Sequence, residues 1–184
     1  LGLDKLYIVP ASIPPHKELP EGTPAPKHRL AMAAKLADAL LLPEKVEVSS
    51  LELDREGKSY TADTLAALHA EYPGAELWLL MGTDMFLTLH RWREPEKILN
   101  LAGICAFGRT EQDGEEVFAP QREYLQKTYP RTRITTITLP GLVDVSSTRL
   151  RELLEQGEGA EYLHPSVYGY ILMNGLYSTR ADLK

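Results

Sequence analysis

The sequence predicts an α/β fold: a doubly wound, mainly parallel sheet in a single domain spanning residues 1–184. Two observations carry that prediction. Short apolar runs such as Leu77–Trp78–Leu79–Leu80–Met81 alternate with one-sided helical stripes, and strands separated by helices imply crossovers and parallel pairing. At about 150 residues per domain, 184 residues give one core and no linker, internal repeat or heptad divides them.

The elements follow in order. Leu1–Gly2–Leu3–Asp4 reads as a helix C-terminus with glycine just past the last turn, and Lys5–Val9 as a strand. A domain that opens on a helix end is expected to have lost whatever preceded it. The Pro-rich stretch Pro10–Pro26 is loop, since proline suits neither a helix interior nor a central strand. Leu30, Ala33, Ala34, Ala37, Leu40 and Leu41 form a stripe that predicts a helix over Lys27–Leu42, stopped by Pro43. Val46–Val48 and Leu51–Leu53 alternate as an exposed edge strand would. A second helix is expected over Thr61–Tyr72, packing through Leu65, Ala66, Leu68 and Ala70 and ended by Pro73–Gly74. Glu76–Met81 is apolar almost throughout, which predicts a strand buried on both faces. Then come a short helix at Glu94–Asn100, a strand at Ile104–Phe107, a helix at Gln121–Thr128, an extended run at Arg133–Leu139, and helices at Ser146–Gln156 and Pro165–Met173.

Composition excludes several functions. Lys and Arg total 20 against 26 Asp and Glu, a net charge of −6, so neither nucleic acid nor an anionic membrane is attracted in bulk. Any phosphate site must be built locally. The hydrophobic fraction of 43% is too high for a largely disordered chain. Cys105, the one cysteine, sits in the apolar run Ile104–Phe107 and reads as a buried thiol, in keeping with a cytoplasmic protein. No run reaches the roughly 18 apolar residues of a membrane span. His16, His28, His69, His90 and His164 lack metal-ligand spacing, and no Walker A, Gly-x-Gly-x-x-Gly or Gly-x-Ser-x-Gly motif occurs. Oligomeric state is left open.

Parallel sheets take ligands beyond the carboxyl ends of their strands. That rule selects the loop after Val9, Gly82–Thr83–Asp84, Gly108–Arg109 and Val145–Ser146–Ser147–Thr148. Ser146, Ser147 and Thr148 precede a helix whose first turns hold Arg149 and Arg151. One hydroxyl would suffice as a cap; three with two arginines suit a phosphate. Gly82 allows close approach of a ligand, while Asp84 could hold a ribose or merely cap a helix. Trp92, between His90–Arg91 and Arg93, could fill the core or stack on a charged planar ring at a rim. Thr61 begins a helix and could cap it or hold a small anion. Lys17, at the end of the stiff Pro14–Pro15–His16 segment, could meet a phosphate or simply be solvated, and Arg109 could turn inward at Gly108.

In chain order these segments resemble the bacterial nicotinate-nucleotide adenylyltransferases, of the nucleotidyltransferase superfamily with Rossmann-like folds. The matching stretches are Ile8-Val9-Pro10 with Pro14-Pro15-His16-Lys17, Ser59-Tyr60-Thr61-Ala62-Asp63-Thr64-Leu65, Met81-Gly82-Thr83-Asp84 and Leu89 through Trp92. Gly108-Arg109, Val145-Ser146-Ser147-Thr148 with Arg151, and Tyr170 through Tyr177 complete them. The resemblance implies adenylyl transfer from ATP, with Mg²⁺, to nicotinate mononucleotide. It implies that Trp92 stacks on the pyridine ring, that Thr61 and the Arg93 amide hold its carboxylate, and that Lys17 and Arg109 lie near phosphates. It further places Gly82 and Asp84 at the adenylate and Ser146, Ser147, Thr148 and Arg151 around the ATP phosphates. The family's paired histidines, His-x-Gly-His in an N-terminal strand-turn-helix, do not occur in this chain, so no residue here is assigned their catalytic role. Three other readings are an acceptor such as nicotinamide mononucleotide, one such as phosphopantetheine, and an inactive nucleotide-binding fragment.

Overall fold

The computed structural model describes residues 1–13, 22–108, 113–137 and 145–178. In chain order the elements are β1 (Leu6–Ile8), α1 (Pro26–Asp38), β2 (Val46–Val48), α2 (Thr61–Glu71), β3 (Leu77–Gly82) and α3 (Thr83–Thr88). They continue with α4 (Pro95–Leu101), β4 (Ala102–Phe107), α5 (Glu115–Thr128), β5 (Ile134–Ile137), α6 (Ser147–Glu155) and α7 (Pro165–Met173). These pack as two compact units, Leu1–Ser59 with Val145–Lys184 and Tyr60–Asp144. Among the described residues every strand pairing is parallel, as expected for an α/β fold.

In the first unit β1 pairs with β2, Leu6 opposite Val46 and Ile8 opposite Val48. Helix α1 packs on β2 and on α7. Leu154 from α6, Val167 and Ile171 from α7, and Leu176 form the core. Two expectations are corrected here. Helix α1 stops at Asp38 rather than Leu42, the Ala39 N–H turning onto the Leu36 and Ala37 carbonyls. Pro43 disfavours helix at Leu42, and Leu41 is 99% exposed. Leu51–Leu53 is a turn, not a strand. Asp54 N–H donates to the Ser50 carbonyl at 3.0 Å and Ser50 Oγ to Asp54 Oδ2 at 2.5 Å, so local polar bonds outcompete the alternating pattern.

In the second unit the strands run β3-β4-β5. β4 is central and buried from Ala102 through Ala106. The strand read as buried on both faces, β3, lies instead at the end of this sheet, with only Met81 buried and Leu80 41% exposed. Apolar composition reports average burial, whereas a neighbour on each side and cover from α4 decide it, and β4 has both. Gly103 of β4 is held by a close approach: a Cβ there would meet the Trp78 ring at 2.7 Å. In α2 the buried residues are Ala62, Thr64, Leu65 and Leu68, while Ala70 faces solvent. Helix α5 begins at Glu115, six residues ahead of the expected Gln121, and carries Pro120 inside it. Phe86, Leu89, Ile98, Ile104, Ala106 and Leu125 are wholly enclosed in the core. Cys105 is buried as expected, and burial pushes its thiol pKa up. No described helix is long and apolar enough to cross a membrane.

Candidate functional site

In the second unit β3 and β4 end side by side, Gly82 opposite Phe107. The turns beyond them therefore open at one edge of a parallel sheet, the place such sheets offer to ligands. Gly82 caps α3 with an ordinary φ of −77°, so its backbone does not require glycine. Thr83 is buried; its Oγ donates to Asp113 Oδ2 at 2.8 Å and lies 3.4 Å from the Phe107 carbonyl, tying the two strand ends together. Asp84 is exposed in the first turn of α3. Thr88 Oγ lies 3.1 Å from the Asp84 carbonyl and accepts the Trp92 indole N–H at 3.4 Å. Trp92 is half-buried and packs partly against the core, leaving part of the indole at the surface.

Helix α2 brings Thr61 to the same unit. Tyr60 is its cap residue, but the Tyr60 side chain makes no capping bond. Its carbonyl accepts the amides of Asp63 and Thr64 at 3.0 and 3.1 Å, and its ring carries the Arg93 guanidinium 4.3 Å from the ring centre. Thr61, Gly82, Asp84, Trp92 and Arg93 thus belong to one compact unit. Tyr60 received no role in the sequence; a contact across 33 positions has no local signal.

Ser146, Ser147, Thr148 and Arg151 belong to the other unit. Ser146 caps α6, its Oγ accepting the Arg149 N–H at 3.1 Å, while Ser147 and Thr148 are exposed. Arg149 pairs with Glu152 at 3.3 Å. Arg151 is half-buried, and among the described residues no carboxylate pairs with it. Arg151 and Arg29 act electrostatically on Tyr177, a residue at φ +56° whose phenol pKa is raised by burial against their lowering influence. That phenol stays protonated at neutral pH. Arg29 donates to the carbonyls of Ala11 and Pro24, on either side of residues 14–21. Lys17 and Arg109 lie outside the described residues. The capping bond gives Ser146 a measurable structural share. Ser146→Ala should cost about 1 kcal/mol in urea unfolding, and Ser147→Ala much less; equal costs would contradict this cap.

No family model matches the chain. A Dictyoglomus thermophilum protein named "Probable nicotinate-nucleotide adenylyltransferase" is 34% identical over 176 residues, which cover 95% of this chain and 85% of that protein. A Roseiflexus protein of the same name is 41% identical over 180 residues, covering 96% of this chain and 84% of its own length. Among solved structures, Plasmodium falciparum nicotinic acid mononucleotide adenylyltransferase complexed with NaAD aligns over 98% of this chain and 85% of that chain. Its TM-score is 0.73 at 18% identity, a likeness of fold. Fold and relatives together define a nucleotidyltransferase with a Rossmann-like α/β fold. More narrowly, the chain belongs to the nicotinate-nucleotide adenylyltransferase family.

Proposed function

We propose that this chain transfers an adenylyl group from ATP to nicotinate mononucleotide, giving nicotinate adenine dinucleotide and pyrophosphate. The observation that supports it most is the assembly of Thr61, Trp92 and Arg93 in one unit, with Arg93 seated on the residue before Thr61. Trp92 stacks on the pyridine ring, and Thr61 with the Arg93 amide takes its carboxylate. Gly82 and Asp84 serve the adenylate; Ser146, Ser147, Thr148 and Arg151 serve the ATP phosphates. Lys17 and Arg109 are assigned to phosphates from the sequence. A cytoplasmic setting goes with the single buried Cys105.

The acceptor's phosphate oxygen attacks the α-phosphorus of ATP in line, one P–O bond forming as the bond to pyrophosphate breaks. An acceptor that is already an anion needs no strong general base. The chain's own residues therefore position the reactants and offset negative charge. Among the described residues no group of three His, Cys, Asp or Glu side chains gathers as a metal site. Mg²⁺ would enter with the ATP substrate and offset charge on its phosphates.

Pyrophosphate release should depend on ATP and nicotinate mononucleotide together. Equal release with nicotinamide mononucleotide or phosphopantetheine would reassign the acceptor, and release with none of them would leave a nucleotide-binding fragment. Trp92→Ala should weaken binding of nicotinate mononucleotide by about 1–2 kcal/mol, the scale of a partly desolvated ring stack. Calorimetric titration measures this directly, and an unchanged dissociation constant would remove Trp92 from the site.

A further inference from the structure

The loop after Trp92 is held more firmly than a pair of hydrogen bonds to a ligand would require. Glu94 has φ +54°, a left-handed backbone that is strained for any residue except glycine. It nevertheless caps α4, its carbonyl accepting the Ile98 N–H at 3.1 Å, with Pro95 at the first helical position. Lys97 reaches both Glu94 at 3.8 Å and Asp63 of α2 at 3.6 Å, joining the loop to the helix that begins at Thr61. Above this link the Arg93 guanidinium lies over Tyr60, and its Nε is 3.7 Å from Glu94. A planar guanidinium suits an aromatic face, so Tyr60 holds the cation instead of leaving it to collapse fully onto Glu94.

Selection of a pyridine acid over its amide is sharpened by such a charge. A hydroxyl and a backbone N–H can donate both to a carboxylate oxygen and to an amide carbonyl, more strongly to the anion, so they tolerate the amide while preferring the acid. A fixed cation favours the anion alone. We infer that Tyr60 is a positioning residue that holds the Arg93 guanidinium as the charge selecting a pyridine carboxylate over a pyridine carboxamide. This rests on the reading that Thr61 and Trp92 take the pyridine nucleotide.

The test compares dissociation constants for nicotinate mononucleotide and nicotinamide mononucleotide, with ATP binding as a control. Arg93 is half-exposed, so its replacement leaves the core intact. Arg93→Gln should lower the acid-to-amide preference about tenfold, through weaker acid binding. Arg93→Lys keeps the charge without the planar stack and should fall between. Tyr60→Leu should lower the preference as well, and Tyr60→Phe, which keeps the aromatic face, should restore it. An unchanged preference in Arg93→Gln, or equal losses for both mononucleotides, would overturn the inference. Should Trp92→Ala and Thr61→Val leave both constants unaltered, the fault would lie in the underlying assignment of the pyridine site.

Discussion

Replacing Arg151 with alanine is expected to weaken ATP binding by roughly 10- to 100-fold, the worth of a charge-assisted hydrogen bond of about 1.5–3 kcal/mol. Three features set this size. Arg149 is engaged with Glu152, whereas among the described residues no carboxylate pairs with Arg151, the arginine proposed for the ATP phosphates. It is half-buried, where a charge is less screened than on an open face. The chain's net charge of −6 repels an anionic nucleotide at long range, so a local cation counts for more. Arg151→Lys should recover part of the loss, because an ammonium keeps the charge but not the two-pronged geometry. Calorimetric titration with ATP checks both variants, and unaltered affinity in Arg151→Ala would remove this residue from the phosphate site.

Phe86→Ala should destabilise the protein by about 3–5 kcal/mol, the usual cost of emptying a fully enclosed aromatic site. Phe86 is 0% exposed and lies against Phe118, ring centres 5.8 Å apart. Its carbonyl also accepts the Gln121 side chain at 3.2 Å, so α3 and α5 meet at this residue. Because Phe86 stands two residues after Asp84, its loss should loosen the turn after β3 as well as the core. Urea unfolding measures the cost; a change below about 1 kcal/mol would mean that this cluster does not carry the unit.

What could be read from the sequence follows from how local each signal is. Helix α7 matches its expected bounds of Pro165 and Met173 because proline at the first position and an apolar face act within one element. A cap among Ser146, Ser147 and Thr148 is legible for the same reason, and Ser146 is the one that makes it. The apolar run of β3 predicts a deeper strand than the structure shows, since it carries no information on whether strands flank it on both sides. The start of α5 was missed because acidic residues and Pro120 argue for loop locally. At the candidate site, Trp92 and Thr61 are legible from their neighbours, whereas the stack of Arg93 on Tyr60 joins distant parts of the chain.

The division of substrates between Trp92 and Arg151 is the central claim, and crossed titrations test it most directly. Binding of ATP and of nicotinate mononucleotide would be measured for Trp92→Ala and Arg151→Ala. The expected outcome is a selective loss in each: the mononucleotide for Trp92→Ala and ATP for Arg151→Ala. Comparable losses of both ligands in both variants would contradict it.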